Sequence, residues 1–68
     1  MEEAGRITEE ILKYLKEGRK VTRVSIKDTF GLDDEKIDGI LKLLRDLKLI
    51  VLKDHIDITE SGLEFLQL

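Results

Sequence analysis

Leu47-Lys48-Leu49-Ile50-Val51-Leu52-Lys53-Asp54-His55-Ile56-Asp57-Ile58-Thr59-Glu60-Ser61-Gly62-Leu63 is the stretch on which the fold turns. From Leu49 the apolar residues change to a period of two, with Leu49, Val51 and Lys53 on one side and Ile50 and Leu52 on the other. Beyond the polar pair Asp54-His55, the residues Ile56, Asp57, Ile58 and Thr59 alternate again. Two short strands about a tight turn make a β-hairpin. Thr59 then supplies a side-chain oxygen that can cap a last helix running through Leu66, with Leu63, Phe65 and Leu66 as its apolar residues.

Upstream of this stretch the spacing is helical. Ile37, Ile40, Leu41, Leu44 and Leu47 recur at intervals of three and four, and Asp33 or Asp34 stands where an N-cap belongs, so a helix over about 34–47 is expected. Before it, Ser25 reads as the cap of a helix of barely two turns over Ile26–Phe30, stopped by Gly31, with Leu32 an apolar residue in the turn. Val21 and Arg23 alternate with β-branched Thr22 and Val24, which predicts a short strand between Lys20 and Ser25. Ala4, Ile7, Ile11 and Leu15, flanked by Leu12 and Tyr14, mark a first helix that Gly18, free to take positive φ, can end. Glu9 precedes Lys13 by four residues, the favourable orientation for a pair on an exposed face.

The 68 residues hold twelve Leu, eight Ile and three Val but no Cys, Pro or Trp, enough for one small domain, residues 1–68, with an aliphatic core. Without cysteine and with one histidine there is no disulfide framework and no Cys/His zinc site, and no cofactor is implied. The longest apolar run, Leu49 to Leu52, lies far below the roughly twenty residues of a membrane span. The opening Met1-Glu2-Glu3 is acidic where a secretory leader is basic, and a cytoplasmic protein is expected. Forty per cent charged residues, no Asn and a single Gln fit a heat-adapted protein. The net charge of −3 runs against nucleic-acid binding, which normally shows as a basic excess.

The order helix, strand, helix, helix, strand, strand, helix is α+β and mainly helical. It resembles a winged helix-turn-helix domain of the compact kind common in archaeal and bacterial transcription regulators: a three-helix core, a two-stranded wing with a short third strand, and a C-terminal helix. The carriers are Ser25-Ile26-Lys27-Asp28 with Phe30-Gly31-Leu32, Ile37 with Ile40-Leu41 and Leu44, Leu47-Lys48-Leu49-Ile50 entering the wing, and Ile58-Thr59-Glu60-Ser61-Gly62 with Leu63 and Leu66 closing it. Two features depart from the pattern. Lys48 stands where many relatives carry Gly, and the wing is short and free of Arg. The run Gly18 to Glu35 also looks like a segment at the N-terminus of some bacterial multidomain ATPases and nucleotide cyclases, where it would be a helical protein-interaction module.

The winged-helix resemblance implies a small regulator of transcription that binds double-stranded DNA, with its third helix in the major groove and the hairpin on the backbone. On that third helix an inward apolar stripe leaves Glu35, Asp38, Gly39, Lys42, Arg45 and Asp46 outward and Lys36 at one margin. Arg45 and Lys42 can donate to guanine acceptors or to phosphate. Arg23 and Lys27 near the short helix, with Lys53 and His55 in the hairpin, are the phosphate contacts. Each of these cations is, taken singly, as well explained as a solvated surface charge. A shared face among Arg23, Lys27, Lys36, Lys42, Arg45 and Lys53 would make the field locally positive on an acidic chain.

Other chemistry is thin. His55 beside Asp54 lacks a nucleophile near it in sequence and suits a solvated hairpin tip, so no enzyme is expected. Asp33-Asp34-Glu35 with Asp38 lacks a calcium-loop pattern, and first-turn carboxylates are accounted for by capping and the helix dipole, so no metal is expected. Apolar residues off the core stripes, Leu12, Phe65 and Leu68, suggest a homodimer paired through its terminal helices, or a C-terminus folded back on the first helix of a monomer. The alternative function is a winged-helix adaptor that binds a protein partner instead of DNA.

Overall fold

The computed structural model describes residues 2–18 and 20–67, with side chains from residue 5 onward. Along the chain lie α1 (Glu2–Glu17), α2 (Arg23–Phe30), α3 (Asp34–Asp46), β1 (Ile50–Leu52), β2 (Ile56–Ile58) and α4 (Glu60–Leu66). The fold is α+β and mainly helical, with four helices and one antiparallel hairpin among the described residues, a layout compatible with a winged helix. None of these helices is long and apolar enough to cross a membrane.

Each helix boundary has a local cause. Asp33 accepts the Lys36 amide at 2.8 Å and starts α3, and Thr59 accepts the Gly62 amide at 3.0 Å and starts α4. The start of α2 differs from the sequence expectation: Thr22, not Ser25, is the cap, accepting the Ser25 amide at 3.2 Å. Helix therefore begins at Arg23, and the strand expected over Lys20 to Ser25 does not form; the sheet has two strands. What survives of a third strand is one backbone bond, from the Ile56 amide to the Val21 carbonyl at 2.7 Å. Gly31 ends α2 with φ at 63°, and the Leu32 amide donates to the Lys27 carbonyl, which turns Leu32 into the core. Gly18 acts by its lack of a side chain, not by positive φ: a β-carbon there would meet Val21 Cγ2 and the Tyr14 carbonyl.

The core joins Ile11, Leu12, Leu15, Val21, Ile26, Ile37, Leu41 and Leu44 to Leu49, Ile50 and Ile56. Because α1 packs against both α4 and β2, its buried face is wider than one stripe, and Leu12, expected at a dimer contact, is completely buried within the chain. Conversely Leu47, expected inside, is 56% exposed, because it is the C-cap where the chain leaves α3. The period of two also fails at the hairpin end: Ile50 is buried but Leu52, on the same side, has run past the core. Between α1 and α2, Tyr14 Oη lies 3.1 Å from Ser25 Oγ and accepts from the Thr29 hydroxyl at 3.4 Å, with its ring edge-on to Phe30. Those two hydrogen bonds, Ser25 first, hold the phenol below its ordinary pKa.

The exit from α3 is a Schellman turn. The Lys48 amide donates to the Arg45 carbonyl at 2.9 Å, the Leu49 amide to the Leu44 carbonyl at 2.9 Å, and Leu44 and Leu49 are both buried. That turn needs a left-handed residue at position 48, and Lys48 takes φ of 62°. Gly62 is required for the opposite reason: a β-carbon there would run into the Leu49 carbonyl and Ile58 Cγ1.

The two positions thus carry opposite predictions. Lys48→Gly removes a left-handed cost of about 1–2 kcal/mol and returns part of it as unfolded-chain entropy, for a net gain of about 0.5–1 kcal/mol. Gly62→Ala overpacks the junction and costs about 1–3 kcal/mol. Thermal unfolding of both variants beside the parent should show Tm rising for the first and falling for the second; a fall for Lys48→Gly would refute the strain account.

Candidate functional site

Helix α2 carries Arg23 and Lys27 one turn apart, and α3 carries Asp34 and Asp38 one turn apart, so the two pairs face each other across the turn. Arg23 Nε donates to Asp38 Oδ1 at 2.7 Å and Arg23 Nη2 to Asp34 Oδ1 at 3.1 Å, while Lys27 Nζ lies 2.7 Å from the same Asp34 oxygen. Lys27 first and Arg23 second hold the Asp34 carboxyl below its ordinary range, and Arg23 does the same for Asp38. Arg23 is correspondingly raised, by Asp38 and then Asp34. Asp34 and Asp38 are therefore matched from α2, while Glu35 between them is exposed.

Beside this cluster runs an open groove of about 510 Å³. One wall is the start of α2, with Thr22, Arg23 and Val24; the second is α3, with Asp38, Leu41, Lys42 and Arg45; the third is the hairpin end, from Leu52 through Lys53, Asp54 and His55 to Ile56. The bond between Ile56 and Val21 closes the first wall onto the third. Four cations and a histidine line it against two carboxylates, Asp38 and Asp54, so a chain of net charge −3 carries a locally basic concavity.

Of the sequence-expected site residues, Arg23, Lys42, Arg45, Lys53 and His55 meet in this groove. Lys27 lies outside it, on Asp34, and Lys36 is exposed on α3 away from it. Arg45 Nη2 approaches its neighbour Asp46 at 3.4 Å with both side chains half-exposed, a contact that leaves the guanidinium open to a ligand. His55 Nε2 lies 3.2 Å from Asp57 Oδ2, the two residues standing either side of Ile56, where the chain enters β2. Val24 and Leu52 were missed as site residues. Reading Thr22 as the cap would have found Val24, since it then falls in the first turn of a helix and not in a strand. Phe65 is 42% exposed on α4, and Leu68 lies outside the described residues.

The groove contains one hydroxyl, Thr22, whose oxygen accepts the Ser25 amide, and its titratable side chains are solvent-accessible. What the arrangement offers is recognition of an extended anion. Compared with known proteins, the chain matches no protein-family model and no curated sequence.

Depressed carboxyl pKa values make the contact between α2 and α3 sensitive to acid. A carboxylate whose folded pKa lies below its unfolded value near 3.9 contributes stability in full above that value and loses it as pH falls through the folded pKa. Asp34→Asn/Asp38→Asn should therefore unfold with a flatter dependence on pH below about 4 than the parent, as read by urea titrations at stepped pH. Equal slopes for the two proteins would show that the ion cluster is not formed in solution.

Proposed function

We propose that this chain is a winged-helix DNA-binding domain that regulates transcription, presenting the second half of α3 to the major groove and the hairpin end to the backbone. The observation that carries the reading is the gathering of Lys42 and Arg45 from α3 with Lys53 and His55 from the hairpin around one concavity of an otherwise acidic chain. Pairing of Asp34 and Asp38 with Arg23 and Lys27 supports it, because two carboxylates that would repel phosphate are matched within the protein. In this reading Arg45 and Lys42 reach base edges or phosphate, and Lys53 and His55 touch the strand alongside. The winged-helix resemblance of the sequence points the same way.

Fluorescence anisotropy against mixed-sequence duplex DNA across a salt series tests the reading, with micromolar binding that weakens steeply with salt as the expected result. Arg45→Ala should change the preference among duplexes, whereas Lys53→Ala should weaken all of them alike and reduce the salt slope by about one. Negligible effects of both would reject the assignment. Absence of binding at low salt would favour the protein-interaction adaptor.

The same reading includes a homodimer paired through α4, supported by the exposure of Phe65. Sedimentation equilibrium should give twice the chain mass for the parent and the monomer mass for Phe65→Ser; a parent that sediments as a monomer removes the pairing.

A further inference from the structure

Asp38 is a carboxylate on a surface otherwise suited to phosphate. It precedes Lys42 by four residues and Arg45 by seven, so the three side chains follow one another along a single stripe of α3, and all three line the groove. One of its oxygens is engaged, Oδ1 accepting from Arg23 Nε at 2.7 Å. The other, Oδ2, has no partner among the described residues, and the side chain is 62% exposed. Pairing with Arg23 thus offsets the charge that would repel a phosphate and still leaves an acceptor open beside Lys42 and Arg45. A phosphate has no donor for that acceptor. In the major groove two bases do, cytosine through its N4 amino group and adenine through N6. Adenine sets the acceptor N7 beside its amino group, so a carboxylate meets attraction without repulsion only at cytosine.

We infer, resting on the DNA-binding reading above, that Asp38 is a specificity-determining residue whose Oδ2 accepts from the N4 amino group of a cytosine in the major groove. Arg23 is its positioning residue: by holding Oδ1 it fixes the carboxylate with the second oxygen toward the base. Arg45, placed on a base edge by the same reading, stands about 10 Å further along the helix axis. At about 3.4 Å per base pair the cytosine then lies within about three base pairs of the base that Arg45 contacts. Contact with the backbone stays with Lys53 and His55 on the hairpin.

The test is selection from duplexes with a randomised central stretch, followed by anisotropy on the selected site. The parent should fix a cytosine within about three base pairs of the position that Arg45→Ala relaxes. Replacing that C·G pair by T·A should weaken the parent about fivefold or more, and Asp38→Ala about twofold or less. Asp38→Asn, an exposed change that should leave the circular dichroism spectrum as it was, can keep its amide oxygen on Arg23 and turn its NH2 to the groove. Donor then faces donor, and this variant should select against cytosine there while the Arg45 position keeps its preference. Arg23→Gln should weaken the preference for cytosine and leave the Arg45 position unchanged; full preference for cytosine in that variant removes the positioning role. A parent that binds duplexes but fixes no such cytosine overturns the inference while leaving DNA binding intact, and so does an Asp38→Asn protein that still selects cytosine. Failure of the parent to bind any duplex at low salt overturns the DNA reading and this inference together.

Discussion

Thr59 holds the molecule together at its most crowded joint. Its amide donates to the Leu49 carbonyl at 3.0 Å, its hydroxyl donates to the Lys48 carbonyl at 2.7 Å, and the same hydroxyl oxygen accepts the Gly62 amide. One residue thereby ties the exit of α3, the base of the hairpin and the first turn of α4. The side chain must be short and carry a hydroxyl that both donates and accepts, which Ser and Thr alone provide. Thr also meets the extended φ and ψ of a residue that ends a strand before it caps a helix. The close approach this requires explains Gly62, because α4 can lie against the Leu49 carbonyl only where no β-carbon intervenes. Lys48 completes the joint from the other side by turning left-handed, in a position where glycine would be less strained.

The hairpin was legible because this joint has a sequence signature, Ile58-Thr59 followed by Gly62, and because strands and helices differ in period. Three of the four helices were legible in position for similar reasons, α3 to within a residue at each end. The errors have one physical origin: local pattern does not report what a segment packs against. Val21-Thr22-Arg23-Val24 alternates as a strand would, yet only Val21 reaches the hairpin, through a single backbone bond, and the capping power of Thr22 converts the rest to helix. Leu12 lies beside the apolar stripe of α1 and is surplus to that stripe by spacing, yet α1 packs against both α4 and β2 and buries it. Leu47 fits the stripe of α3 by number but stands at its C-cap, where the chain has begun to turn.

For the candidate site the sequence supplied the residue types and not their grouping. Net charge is a property of composition, whereas the field at a surface depends on which charges share a side. Here Glu9 is matched with Lys13 along α1, and Asp34 and Asp38 are matched across to α2. Such exposed pairs add little to stability. Their consequence is electrostatic: of the two carboxylates that line the groove Asp38 is matched by Arg23, which leaves Asp54 alone against Lys42, Arg45 and Lys53. That match is not legible in spacing alone, because the alternation of residues 21–24 places Arg23 on a strand, where it has no defined partner on α3.

The vestigial third strand now has a clear role. A full strand over Lys20 to Ser25 would lie flat against β2 and carry Arg23 and Val24 along the sheet edge, away from α3. Reducing it to one bond, from Ile56 to Val21, keeps the hairpin end anchored while freeing Thr22 to start a helix immediately. Helix geometry then turns Arg23 and Val24 toward α3 and the hairpin, where they form the first wall of the groove. The groove therefore exists because the sheet is incomplete: the backbone pairing given up at Thr22 and Arg23 is what brings three elements to one concavity.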